Sequence, residues 1–294
     1  MIRNCCTIAF MLSALSLTTL APAHDGLHDD IDAVTQRLAR EAATLTKEQR
    51  ASLFLQRAEL LRAHGDTAAA LHDYARVEQL APSMHGLWYG RGAAQLAQGQ
   101  TEAARTSLQH FCKLHPQQAR AHLLLATASE RLGAFDLAAS SLEQAIALQA
   151  RPQPEHFLRW SRALRHCGAL HTVESLRVLE QGLERLHHPV ALAIEAVRVE
   201  IELQRSNAAL GRLARLAAAS PRPERWLAWS GKILADTGRQ MEAQLHFEAA
   251  LRAIGQLPPS RRATAATQRL ESRIRWLLYE WQGDAVQVDF WDWI

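Results

Sequence analysis

The residues best equipped for coordination chemistry stand at 24–32, HDGLHDDID. If the chain is cut after Ala23, His24 becomes the first residue, and its free amine and ring nitrogen chelate a metal together. His28 lies close enough to join, with Asp25 or Asp29 completing the set, and imidazole ligands suit copper, zinc or nickel. The alternative is an ordinary polar helix start with solvated side chains. The other histidines, of 14 in all, are scattered; His64, His72, His85 and His246 fall at turn or exposed helix positions. His187-His188-Pro189 reads as a helix terminus, where a histidine meets the negative end of the dipole. No phosphate loop, nucleophile elbow, H-E-x-x-H or paired C-x-x-C stands in the sequence. The carboxylates are expected at solvated helix positions with no isolated pair. Apart from copper or zinc at His24 and His28, no cofactor is expected, and the chain does not read as an enzyme.

What positions these residues follows from composition. The 294 residues are 48% hydrophobic, with Lys+Arg 33 against Asp+Glu 30 and a formal charge of +3. So small a surplus gives no field for nucleic acid or an anionic membrane. Abundant Ala, Leu, Arg, Glu and Gln favour helix throughout. The first residues obey another rule: MIRN carries one positive charge, residues 5–20 are apolar or small, and Ala21-Pro22-Ala23 offers a cleavage site. Residues 1–23 are expected to be a signal peptide, with a retained anchor as the alternative. The mature chain is then periplasmic or secreted, exported from a bacterial cytoplasm and not inserted in a membrane. Cys112 and Cys167 remain after cleavage. They fall on different helices, so two buried free thiols are expected, not a disulfide.

A regular spacing runs through the middle of the chain. Gly65, Gly99 and Gly133 lie 34 residues apart, as do Pro82 and Pro116. Ala58, Gly92 and Ala126 keep the same register, followed by Ala70, Ala104 and Ala138 and by Tyr74, Leu108 and Leu142; Phe54 and Trp88 lead. Small residues let paired helices approach, large ones fill the space between pairs, and glycine makes the turn. This pattern resembles the tetratricopeptide repeat. The resemblance implies an all-α, right-handed helical solenoid of about six helix–turn–helix units with N- and C-terminal capping helices.

Three units are well formed within residues 46–153, at 51–84, 85–118 and 119–152. Residues 154–257 hold degenerate units. The fourth has Trp160 and Gly168 in place, and then extra residues before Leu176. The fifth lacks a turn glycine and is expected to turn at Ser206-Asn207; the sixth recovers with Gly231, Gly238, Ala243 and Phe247. An N-terminal capping helix is expected within 24–45, with the stripe Leu27, Ile31, Val34 and Leu38. Thr46 and Gln49 make a capping box. A single amphipathic C-terminal helix is expected over 260–282, within a capping segment at 258–282. The aromatic tail 283–294 is expected to be extended and to pack on the chain's own helices.

In the family, the first helix of each unit lines the concave, ligand-binding surface. The resemblance therefore places Leu55, Glu59 and Arg62, then Tyr89, Ala93 and Leu96, on a peptide-binding groove. Arg120, Leu123, Thr127 and Arg131 follow, and then Leu158, Arg162 and Arg165. An apolar floor flanked by arginines suits a peptide of acidic or C-terminal carboxylate character. Leucines serving as inter-repeat core beside a solvated arginine face account for the same residues. Chaperone-binding members clamp a terminal carboxylate with lysines and asparagines; the matching places here hold Leu55, Glu59, Gly90, Arg120 and Leu124. Only Arg120 keeps a basic group, which argues against that ligand. Arg57 and Arg91, in place of the usual apolar residue, are read as structural, with Arg57 reaching Asp73. The expected function is a non-enzymatic scaffold, an adaptor or assembly factor for another protein or peptide in the cell envelope. Metal handling through His24 is the alternative.

Overall fold

The computed structural model describes residues 23–280, and every element among them is helical. Residues 1–22 of the expected signal peptide and the aromatic tail lie outside these residues. The chain divides into two compact units, Met1–Phe111 and Cys112–Ile294.

The first unit holds α1 (Ala23–Arg40), α2 (Lys47–His64), α3 (Thr67–Leu80), α4 (Gly86–Ala97) and most of α5 (Thr101–Leu114). The capping box opens α2 as expected. Gln49 N–H donates to Thr46 Oγ1 at 3.2 Å, and Thr46 N–H to Gln49 Oε1 at 2.9 Å. The core gathers Phe54, Leu61, Tyr74, Val77 and Leu87 around Ala58 and Ala70, with Ile31 and Leu38 of α1 laid against it. Close approach explains one small residue of the repeat: a Cβ on Gly92 would collide with Leu108.

The second unit continues with α6 (Ala119–Arg131), α7 (Phe135–Ala147), α8 (Pro154–His166) and a 3-10 turn at Ala169–His171. Then come α9 (Thr172–Arg185), α10 (Val190–Glu202), α11 (Ser206–Ala219), α12 (Glu224–Asp236) and α13 (Gln240–Gly255). The short α14 (Pro259–Arg262) and α15 (Ala265–Glu280) complete it. Successive helices pack on each other, as stacked helix–turn–helix units must to bury their apolar faces. Phe157, Leu142, Leu179 and Leu192 share one buried cluster, and Phe247, Ile254, Ile274 and Leu277 share another that seats α15 on α13.

The turns show where the repeat is kept and where it is lost. Gly65, Gly99, Gly133 and Gly238 have φ of 103°, 74°, 71° and 77°, each two residues before the next helix begins. The fifth pair puts Gln204, φ 57°, at the same place. Ser206-Asn207 therefore do not make this turn; they open α11. The extra residues of the fourth unit form the 3-10 turn after Gly168. The single C-terminal helix expected over 260–282 is broken at Ala263-Thr264. Thr264 Oγ1 accepts from Thr267 N–H at 3.4 Å, a local bond that starts a new helix in preference to continuing the old one.

Candidate binding surface

In the first unit the expected groove residues are largely engaged with one another. Leu55 is half-buried on the core. Glu59 accepts from the buried Tyr74 hydroxyl at 2.6 Å and from Arg62 Nη2 at 2.6 Å. Burial first, and then the Glu59 carboxylate, push the Tyr74 phenol well above its ordinary range, so it stays a donor. Gly90 allows this arrangement, because a Cβ there would collide with Glu59 Oε1 and Tyr74 Oη. Tyr89 is half-buried, its ring 5.4 Å from that of Phe111. Leu96 requires a correction: it is 7% exposed and offers no surface. It lies one turn past Gly92 and shares that residue's inward face.

The second unit separates the arginines into two groups. Arg165 Nη1 donates to Glu195 Oε1 at 2.8 Å and its Nη2 lies 2.9 Å from Glu202 Oε2, so it ties α8 to α10. Arg159, which the sequence did not single out, donates to Glu130 Oε2 at 2.7 Å and Thr127 Oγ1 at 3.0 Å, joining α8 to α6. Arg120 and Arg162 instead stand exposed on α6 and α8 and have no carboxylate partner among the described residues. Arg131, at the end of α6, is also exposed. Leu123 and Leu158 rest half-buried on the same core cluster. The surface that remains is a partly apolar strip with two uncompensated guanidinium groups.

The carboxylates overturn an expectation: Asp73, Glu200 and Glu224 are 1%, 3% and 2% exposed, not solvated. Each is held by an arginine. Arg57 forks onto Asp73 at 2.6 and 2.8 Å, Arg212 Nε reaches Glu200 at 3.1 and 3.2 Å, and Arg222 Nε reaches Glu224 at 2.7 Å. Arg57 thus plays its expected part. Arg91 does likewise, bonding Glu78 at 2.6 Å with its guanidinium 5.5 Å from the centre of the Trp88 ring. The pairings of Glu200 and Glu224 were hidden from the sequence because Arg212 lies 12 residues from its partner on another helix and Arg222 lies in the turn before α12.

Cys112 and Cys167 are free; Cys112 is buried but Cys167 is only half-buried, contrary to expectation. Desolvation pushes each thiol up to about 11, so neither is a ready nucleophile. The side chain of His24 lies outside the described residues. His28 is exposed, 3.9 Å from Asp32, with its ring 6.1 Å from that of His64. Among the described residues no three His, Cys, Asp or Glu side chains gather as a metal set. No described helix is long and apolar enough to cross a membrane.

Paired helices turning on a glycine at a 34-residue spacing define an all-α helical-repeat protein. A tetratricopeptide repeat family model matches residues 55–109 and 94–154, so this stretch of the chain is similar to tetratricopeptide repeats. Solved structures agree on the fold. The C-terminal part of a tetratricopeptide repeat-containing protein from Cytophaga hutchinsonii is 12% identical, with TM-score 0.56 over 79% of this chain and 92% of that one. The structure of Naa15/Naa10 bound to HypK-THB is 13% identical, with TM-score 0.58 over 89% of this chain but 43% of that chain. No curated protein matches the sequence.

Proposed function

We propose that the chain is a non-catalytic scaffold that binds a peptide segment of another protein, exported to the bacterial cell envelope. One observation supports the peptide reading most. On the first helices α6 and α8, Arg120 and Arg162 are exposed without a carboxylate beside half-buried Leu123 and Leu158, while neighbouring arginines are paired. A guanidinium kept free at the edge of an apolar strip suits an acidic segment with apolar residues between its charges. Export rests on the apolar residues 5–20 and the Ala21-Pro22-Ala23 site.

Binding of labelled acidic–apolar peptides, followed by fluorescence anisotropy, tests the reading. Arg120→Glu with Arg162→Glu should weaken the best peptide at least about tenfold, and binding to the unaltered chain should fall with salt. Equal affinity for both chains removes these residues from the site. Metal handling stays as a second reading because the rings of His28 and His64 lie 6.1 Å apart. Copper and zinc stoichiometry on chain beginning at His24 decides it.

A further inference from the structure

The C-terminal end of the second unit contains a pocket that the peptide surface does not use. It has a volume of about 480 Å³ and lies between the α11–α12 connection, the first turns of α12, Arg261 of α14 and the start of α15. That is the size of a small-molecule site, not of a peptide groove. Trp226, Trp229 and Leu270 give it apolar walls.

Its polar groups are only half matched. Arg222 spans the pocket wall, with Nε donating to Glu224 Oε1 at 2.7 Å and Nη2 to Thr267 Oγ1 at 3.0 Å, and this clamp fastens α12 to α15. The clamp uses one carboxylate oxygen. Glu224 is 2% exposed, and its Oε2 is buried without a hydrogen-bond partner. Trp226 is 4% exposed, and its indole N–H is likewise buried and unpartnered. A buried polar atom without a partner costs about 1–3 kcal/mol, so two such atoms on residues of one pocket ask for a cause. Two cations add to the imbalance. Arg225 lies with its guanidinium 4.3 Å from the centre of the Trp226 ring and feels the Glu224 carboxylate without a hydrogen bond to it, and Arg261 also lines the pocket. Burial pulls the Arg225 pKa down, the mark of a charge held partly out of water.

The residues lining the pocket therefore carry surplus donors on Arg225, Arg261 and Trp226, one unpaired anionic oxygen on Glu224, and an indole wall. We propose that it binds a free amino acid with an apolar side chain. The ligand's carboxylate would be taken by Arg225 and Arg261, its ammonium by Glu224, and its side chain by the tryptophans. A simple anion would answer the arginines and leave Glu224 Oε2 unpaired. A peptide interior would bring no charge to either end. A zwitterion on an apolar body brings an opposite charge both to the arginines and to Glu224.

Isothermal titration of the whole chain with L-phenylalanine, L-leucine and L-tryptophan tests this. At least one should bind. Its desamino acid and its carboxamide should each bind about tenfold more weakly or worse, since each lacks one of the two charges. Arg225→Ala with Arg261→Ala should cause a similar loss; both side chains are exposed, so the melting temperature should hold. Glu224→Gln should weaken the amino acid but not the desamino acid. The proposal is overturned if none of the three binds at millimolar concentration, or if the desamino acid binds as well as its parent. It is overturned equally if an acidic peptide needs Arg225 and Arg261 but not Arg120 and Arg162, because the pocket is then the peptide site.

Discussion

Asp73 is 1% exposed, and both its oxygens are held by Arg57, whose guanidinium stands 5.5 Å from the centre of the Phe54 ring. Losing one partner of a buried pair leaves the other charge uncompensated, which costs more than the intact pair contributes. Asp73→Asn should therefore destabilise the chain by about 3 kcal/mol in urea or thermal unfolding, allowing for the partial exposure of Arg57. A cost near zero would mean that water already serves Arg57. A second residue-scale effect depends on pH. Burial, the largest influence, lowers the pKa of His246 below the ordinary 6.5; Glu242 opposes this and Arg239 adds to it. The folded chain thus binds the proton less well than the unfolded chain. The stability His246 contributes is complete above about pH 6.5 and is lost as pH falls through the lower folded value. His156 is depressed in the same direction, again by burial first. Replacing His246 with Gln should flatten part of the decline in urea midpoint between pH 7 and 5. An unchanged slope would remove His246 from the account.

Among the helices, α11 is the least well held of the second members. Of its residues only Ala209 and Leu213 are buried, whereas α7 buries Ala138, Ala139, Ser141, Leu142, Ala145 and Ile146. The turn before α11 also gives the left-handed conformation to a residue other than glycine, Gln204 at φ 57°, where the corresponding turns before α3, α5, α7 and α13 use glycine. A side chain at such a φ costs about 1 kcal/mol relative to glycine. In hydrogen exchange α11 amides should exchange ahead of those in α7, since local opening follows local burial. Gln204→Gly should slow the α11 amides and raise stability by up to about 1 kcal/mol. Faster exchange in the variant would show that the glutamine side chain holds the turn by contacts that outweigh its strain.

For the whole molecule, export and the metal reading turn on one processing event. Cleavage after Ala23 would expose the His24 amine, on which both the compartment and the metal reading depend. Mass spectrometry of chain recovered from the envelope of an expressing bacterium should show His24 as the first residue. Intact Met1 in the cytosol would remove both readings. The repeat itself carries no such contingency, because its stability is the sum of units and interfaces spread along the chain.

By itself the sequence determined the fold class. Glycine, alanine and large apolar positions recurring every 34 residues fix where helices turn and which faces they bury, and those are local requirements that a single chain records. It also pointed to Arg57 reaching Asp73 across the two helices of one repeat unit, and to the capping box at Thr46. Tertiary structure decided the rest. It put Leu96 inside, moved the fifth turn from Ser206-Asn207 to Gln204, and broke the last helix at Thr264. It divided the arginines into those spent on Glu59, Glu130 and Glu195 and those left free at 120 and 162. The pocket beside Trp226 left no trace in the sequence, because Glu224 and Thr267 share one arginine only once α15 has packed back beside α12. Charge pairing and pocket formation depend on which side chains meet across helices, and a linear period cannot record that.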